Sequence, residues 1–113
     1  YKMDLSIPMD NLQLFLKKVN DIDANSMHSF GHLGDGNIHV NIISKANEEK
    51  LISQVYSLLK VLKGSPSAEH GIGQRKKEIW TDFSEYEDKY KLLQTLKKSM
   101  DPNNILCPKV FFK

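Results

Sequence analysis

The sequence of 113 residues predicts an α+β domain in which helices pack on one face of an antiparallel sheet. Short segments of alternating apolar and polar residues indicate half-buried strands. Longer segments with apolar residues three or four positions apart indicate amphipathic helices. These segments follow one another as strand, helix, strand, strand and helix, with two further helices at the end. The length suits a single domain.

Three strands are predicted from the alternation. The first covers residues 1–8, which end at a proline, and the other two cover residues 27–33 and 37–44. The last two strands are separated by a glycine-containing turn, which predicts that they pair as a hairpin.

Four helices are predicted. The first begins at Asp10, which is followed three residues later by a glutamine, as in a capping box. Asn47 can cap the second, and Gly64, a residue type common at helix C-termini, can end it. A short helix covers residues 74–80, and a last helix begins at Ser84. The inward-facing residues of the last helix are predicted to be Tyr86, Tyr90, Leu93, Leu96 and Met100.

Residues 31–42, GHLGDGNIHVNI, predict the geometry of the hairpin. The central Asp-Gly pair is a preferred sequence for a two-residue turn, because both of its residues tolerate a positive φ. In that register His32 lies directly opposite His39, so both imidazoles project from the same face. Alternation also places Asn41 on that face, with Phe30 opposite it. The residues that point toward the helices are Ile38, Val40 and Ile42.

Two neighbouring imidazoles and one carboxylate form a ligand set for a divalent metal such as zinc or manganese. Glu69 is the favoured third ligand, because its loop is rich in glycine and free to fold over the sheet. Asp35 is the alternative, although its position in the turn directs it away from this face. The competing interpretation is a surface pair of histidines with a solvated loop carboxylate.

His70 follows Glu69 directly and is the candidate catalytic residue. Next to a bound metal, its imidazole could act as a general base near neutral pH. The alternative is a solvated loop histidine with no catalytic role.

The motifs GHLGDGNIHVNI, SAEHGIGQRK and DPNNIL, together with the opening YKMDLSIP, resemble the C-terminal domain of the FAD-linked oxidases of the vanillyl-alcohol oxidase superfamily. The similarity extends from end to end of the chain. It is greatest to the D-2-hydroxyglutarate dehydrogenase branch, with D-lactate dehydrogenases and glycolate oxidase subunits nearby. The resemblance implies metal ligands at His32, His39 and Glu69, a base at His70, and substrate contacts at Asn41 and Lys2.

The resemblance also implies an activity. A flavoenzyme of this kind oxidises a D-2-hydroxy acid, of the 2-hydroxyglutarate or lactate type, to the 2-oxo acid by metal-assisted hydride transfer to FAD. Residues 1–113 would be part of the C-terminal domain, without the N-terminal FAD-binding domain, and inactive alone. The partners would be the hydroxy acid, the FAD domain and an electron acceptor that the sequence does not identify. The expected location is the mitochondrial matrix in a eukaryote and the cytoplasm in a bacterium.

Composition argues against several other classes of protein. The formal net charge of +2, from 16 basic and 14 acidic residues, is too balanced for a nucleic-acid-binding surface. No apolar run approaches the roughly 18 residues of a membrane span, and no targeting segment is recognised. The single cysteine, Cys107, excludes an intrachain disulfide and is expected to be at least partly buried. A metal-dependent hydrolase and a non-catalytic interaction module stay open as alternatives.

Overall fold

The computed structural model describes residues 1–83 and 86–110, and within them the predicted α+β class is confirmed. The strands are β1 (Lys2–Ser6), β2 (Met27–His32) and β3 (Asn37–Ile42). The helices are α1 (Met9–Asp23), α2 (Glu48–Val61), α3 (Lys77–Thr81) and α4 (Tyr86–Met100). No helix within the described ranges is long and apolar enough to cross a membrane.

The three strands form one antiparallel sheet in the order β1-β3-β2. One face of the sheet is apolar and is covered by α1 and α2. Its buried residues are Met3, Leu5, Met27, Ile38, Val40 and Ile42. The buried residues of the two helices are Leu12, Phe15, Val19, Leu51, Val55, Tyr56 and Leu59. Alternation in the strands and the helical period in the helices therefore direct their apolar residues into one core.

The register of the hairpin differs from the prediction. His32 lies opposite Asn37 and Phe30 lies opposite His39, so the connection has four residues, 33–36, instead of two. Residues 33–35 form a 3-10 turn, and Gly36 follows it with a φ of 64°. The Gly36 carbonyl accepts a hydrogen bond of 2.8 Å from the Ile7 N–H, which joins the turn to the segment after β1.

The two histidines of the hairpin are therefore not directly opposed. The shift moves each pairing by two residues, and side chains alternate with a period of two, so His32 and His39 still project from the same face. They occupy diagonal positions, which lie roughly 7–8 Å apart in an antiparallel pair.

The helix starts differ in detail from the predicted caps. Helix α1 begins at Met9, one residue before Asp10, and no side chain caps its N-terminus. Asn47 does occupy the N-cap position of α2, as predicted, but its side chain donates or accepts no capping hydrogen bond. Asp10 remains in the first turn, where its negative charge interacts favourably with the helix dipole.

Lys63 and Gly64 follow the end of α2 and have different structural roles. Lys63, with a φ of 57°, takes the left-handed conformation that the sequence indicated for Gly64. Gly64 is required for another reason, because a Cβ there would overlap the Leu59 side chain and the Ser6 carbonyl oxygen. The helix end packs against β1 only because this residue has no side chain.

The contacts divide the chain into two compact units, Tyr1–Gly71 and Ile72–Lys113. In the second unit Trp80 is buried, with its ring edge-on to Tyr86 at a centroid distance of 4.8 Å. The predicted inward face of α4 is wrong at Leu96 and Met100, which are exposed. Periodicity shows which residues share a helix face but not whether that face is covered.

Two further predictions concern this unit. Cys107 is exposed, contrary to the expectation of a partly buried thiol. The predicted start of the last helix at Ser84 lies outside the described residues.

Candidate active site

The face of the sheet opposite the two helices carries polar side chains from all three strands. On the central strand these are His39 and Asn41, which pair with Asp4 and Lys2 of β1. On the other side, His39 pairs with Phe30 of β2. The same alternation that buries the core residues thus gathers a cation, a carboxylate, an imidazole and an amide on the outer face.

A pocket of about 310 Å³ opens on this face. Its walls come from β1, β2, β3 and the loop after α2. The lining residues are Lys2, Met3, Phe30, His39, Asn41 and His70. The size suits a small organic acid rather than a dinucleotide, because ligand pockets of drug-sized molecules begin at about this volume.

His39 lies at the centre of the pocket and contacts groups on three sides. Its Nδ1 atom is 3.7 Å from the Asp4 Oδ1 atom. Its ring lies 5.1 Å from the Phe30 ring and 5.6 Å from the stacked His70 ring, measured between centroids. The His39 side chain is 16% exposed, whereas that of His70 is 66% exposed, so His70 forms the solvent side of the pair.

Asp4 anchors the loop that carries His70. Its Oδ2 atom accepts hydrogen bonds from the backbone N–H groups of Ala68, Glu69 and His70 at 3.1, 2.9 and 2.8 Å. Burial opposes the charged form, but the three backbone hydrogen bonds outweigh it and hold the pKa of the Asp4 carboxyl below its ordinary value. The side chain is 3% exposed, so this is a buried carboxylate that stays ionised.

The start of the same loop is joined to the outer edge of β1. Ser6 and Ser65 exchange two backbone hydrogen bonds, of 3.1 and 2.8 Å. The sequence predicted a loop free to fold over the sheet, and the structure holds this loop at both points. The Ser6–Ser65 pair and Asp4 fix the loop through contacts more than 50 residues apart in the chain.

The comparison with known families decides what kind of domain this is. Residues 1–110 match the family model described as "FAD linked oxidases, C-terminal domain". The chain belongs to this family. The resemblance inferred from the three motifs is thereby confirmed over almost the whole sequence.

Curated relatives of this chain extend well beyond this FAD-linked oxidase domain. The "Probable D-2-hydroxyglutarate dehydrogenase, mitochondrial" of Oryza sativa subsp. japonica is 39% identical over 96% of this chain and 20% of its own length. The mitochondrial D-2-hydroxyglutarate dehydrogenase of Bos taurus is 37% identical over 96% of this chain and 21% of its own length. A D-2-hydroxyglutarate dehydrogenase of Stutzerimonas stutzeri (strain A1501) is 29% identical over 99% of this chain and 27% of its own length. The chain spans about a fifth of the length of the first of these relatives.

Within the FAD-linked oxidase domain, the predicted site residues fall into two groups. Four of them line the pocket together, namely Lys2, His39, Asn41 and His70. His32 and Glu69 do not line it. The Glu69 Oε1 atom accepts a hydrogen bond from the Asn37 Nδ2 atom, and Asn37 is the residue opposite His32.

The three predicted metal ligands are not assembled in this structure. In residues 1–83 and 86–110, no three His, Cys, Asp or Glu side chains are close enough together to hold an ion. The donor types suit a divalent metal, and His32 and His39 share one face, but the Glu69 carboxylate is engaged by Asn37. The arrangement therefore does not fit a preformed metal centre.

The sequence predictions did not include Asp4 in the site, and they placed Phe30 on the right face but opposite the wrong residue. A signal for Asp4 was present, because a charged residue between Met3 and Leu5 in a strand points to the face opposite the core. Nothing in the sequence indicated that the 68–70 loop lies next to Asp4. Phe30 was placed opposite Asn41 by the two-residue turn, and only the observed register brings it to His39.

Proposed function

We propose that the full-length protein carrying this domain is a FAD-dependent dehydrogenase that oxidises a D-2-hydroxy acid, of the 2-hydroxyglutarate or lactate type, to the 2-oxo acid. The observation that carries this proposal is the pocket that gathers Lys2, His39, Asn41 and His70. An ammonium, an amide and two imidazoles are suitable partners for a small molecule with a carboxylate and a hydroxyl. The names of the relatives from rice, cattle and a bacterium support the same substrate class.

Three of the pocket groups have roles that follow from their chemistry. The Lys2 ammonium binds the substrate carboxylate through a charge-assisted hydrogen bond. The Asn41 amide can donate to or accept from the hydroxy-acid oxygens and so fixes their orientation. His70, on the solvent side of the imidazole pair, accepts the proton of the substrate hydroxyl as a general base.

FAD belongs outside this pocket. A cavity of about 310 Å³ suits the hydroxy acid, and we assign the flavin to an FAD-binding domain of the full-length protein. When bound, FAD would accept the hydride from the carbon that bears the hydroxyl. This chain's own contribution is to hold the substrate and to accept its hydroxyl proton.

A divalent metal at His32, His39 and Glu69, zinc or manganese, stays a prediction. Metal binding would require the Glu69 carboxylate to release Asn37 and to bind the ion instead. The proposed mechanism therefore contains no metal-dependent step. Metal analysis of the full-length protein tests the prediction directly. We expect His39→Ala to lower the metal content and His70→Ala to leave it unchanged. Loss of the metal from His70→Ala would exchange the roles of His70 and Glu69, and an unchanged metal content and activity in His39→Ala would contradict the site.

The location is proposed on the same basis as the activity. Relatives from rice and cattle are named mitochondrial. For a eukaryotic source we therefore propose the mitochondrion, and for a bacterial source the cytoplasm.

Turnover by the full-length protein tests the proposed function. The purified protein should show a flavin absorption spectrum that bleaches on addition of D-2-hydroxyglutarate or D-lactate. His70→Ala should lower kcat by roughly 10²- to 10⁴-fold, the range for loss of a general base. The matched control is His28→Ala, since His28 is exposed on β2 and does not line the pocket.

A bound flavin that no 2-hydroxy acid reduces would contradict the proposed substrate class. Equal losses of kcat in the two histidine variants would contradict the assignment of His70 as the base.

A further inference from the structure

We propose that Asp4 is a positioning residue, a single buried carboxylate that sets the imidazole tautomer of His39 and holds His70 beside it through the 68–70 backbone. This inference rests on the position of the Asp4 side chain, which faces the Nδ1 atoms of two histidines. The same side chain accepts hydrogen bonds from three backbone N–H groups. Its consequence for turnover rests on the proposed function, whereas its consequence for the tautomer does not.

The two oxygens of Asp4 have different surroundings. Oδ2 accepts the three backbone hydrogen bonds of residues 68–70 and lies 4.0 Å from the His70 Nδ1 atom. Oδ1 is buried and has no hydrogen-bond partner among the described residues. The His39 Nδ1 atom lies 3.7 Å from Oδ1. One oxygen thus holds the loop and the other is directed at the imidazole.

An ionised carboxylate accepts hydrogen bonds and donates none, so it favours a proton on the imidazole nitrogen that faces it. The nitrogen that bears the proton in a neutral histidine is set by the partner of the ring. Asp4 should therefore keep the His39 proton on Nδ1 and leave the lone pair on Nε2. That lone pair is the feature that an imidazole needs to accept a proton or bind an electrophile in the pocket.

The same carboxylate aligns the second ring. The His70 N–H donates to Asp4 Oδ2, so the backbone of His70 is fixed at the residue that also faces His39. The two rings stack with an interplanar angle of 26°. The Nδ1 atoms of both rings face Asp4, so this one carboxylate can fix the orientation of both rings.

Asp4→Asn is a sharp test because it changes the chemistry of one oxygen position only. The single carboxamide oxygen can still accept hydrogen bonds from residues 68–70, which leaves the NH₂ group facing His39. An NH₂ group is a donor, so it would require an acceptor at the His39 Nδ1 atom. We expect the proton of His39 to move from Nδ1 to Nε2.

The measurement is the pair of ring ¹⁵N chemical shifts in full-length protein labelled at histidine, recorded where both rings are neutral. His39→Gln and His70→Gln variants assign the signals. The matched control is Asp23→Asn, since Asp23 also accepts two backbone N–H bonds, from Asn25 and Ser26, but lines no part of the pocket. We expect the tautomer of His39 to invert in Asp4→Asn and to stay unchanged in Asp23→Asn.

Turnover provides the second readout. Partners that orient a functional histidine typically contribute 10- to 100-fold, so Asp4→Asn should lower kcat by about this factor while Asp23→Asn does not. A His39 proton on Nε2 in the unsubstituted protein would overturn the proposal, even if Asp4→Asn fails to fold. An unchanged tautomer in a folded Asp4→Asn protein would overturn it as well. A protein without dehydrogenase activity that still shows the tautomer inversion would contradict the proposed function and leave this inference supported.

Discussion

At the scale of single residues, two buried carboxylates organise irregular backbone in this chain. Asp4 does so for the loop after α2, and Asp101 does so for the turn after α4. Asp101 accepts hydrogen bonds of 3.0 Å from the N–H groups of Ile105 and Leu106, and a further one from the Lys97 ammonium. Segments without regular structure are held here by side-chain acceptors, which satisfy the backbone donors that a helix or a sheet would otherwise satisfy.

The first prediction concerns the pH dependence of the stability that ionised Asp101 provides. The hydrogen bond from Lys97 is the main cause that holds the pKa of Asp101 below its ordinary value, and the two backbone N–H groups act in the same direction. A carboxyl whose pKa is lower in the folded state stabilises the fold above the pKa of the unfolded chain, about 3.9. That stabilisation is lost as the pH falls through the folded-state pKa.

We therefore expect Asp101→Asn to destabilise the second unit at neutral pH and to have a diminishing effect below about pH 4. Urea unfolding followed by the fluorescence of Trp80, the single tryptophan of this sequence, measures it. Asp82→Asn, at an exposed position in the same unit, is the control. A loss of stability that is equally large at neutral pH and at low pH would show that ionisation of Asp101 plays no part.

At the scale of elements, the turn between β2 and β3 decides which residues face one another across the site. Its four residues, instead of two, place Phe30 and not His32 opposite His39. Gly36 closes this turn with a φ of 64°, and its carbonyl oxygen accepts the Ile7 N–H. The site geometry therefore depends on one glycine outside the pocket.

The second prediction compares two glycines of that turn. Gly36→Ala should destabilise the first unit by roughly 1–2 kcal/mol or more, because an L-residue is strained at this φ and its Cβ would overlap the Ile7 carbonyl oxygen. Gly34→Ala should change the stability by less than about 0.5 kcal/mol, since no atom lies within 4 Å of the added Cβ. Urea unfolding of this chain followed by circular dichroism compares the two. Equal stabilities would show that the turn does not depend on Gly36.

At the scale of the whole molecule, one apolar layer lies between the sheet and the helices α1 and α2. Leu5 of β1, Phe15 of α1 and Leu59 of α2 are each completely buried in this layer. Burial of apolar area is the main source of stability for a domain of this size. The polar outer face, which carries the pocket, belongs to the same sheet whose inner face packs in this layer.

The third prediction tests the layer with two leucines of the first unit. Leu59→Ala should lower the free energy of unfolding by about 2–5 kcal/mol, because the removed methyl groups leave a cavity. Leu14→Ala should have an effect within about 0.5 kcal/mol, since Leu14 is 43% exposed on α1. Circular dichroism during urea unfolding gives both values. A smaller loss for Leu59→Ala than for Leu14→Ala would contradict the described core.

The order of the strands and helices and the two faces of the sheet follow from local sequence patterns. Period-two and helical patterns depend on neighbouring residues, so Ile38, Val40 and Phe15 could be assigned to the core before any contact was known. The same local pattern placed His39 and Asn41 on the outer face. The motifs then indicated the family, which the match over residues 1–110 confirms. The roles of the predicted site residues remain proposals.

The hairpin register, the anchoring of the 68–70 loop and the exposed face of α4 depend on contacts between distant segments. A register shift of two residues leaves every side chain on the same face, so alternation cannot distinguish a two-residue turn from a four-residue turn. The bond from Ile7 to Gly36, and those from residues 68–70 to Asp4, join segments far apart in the chain. Local patterns carry no information about such contacts, because these contacts exist only once the sheet has formed and brought its distant segments together.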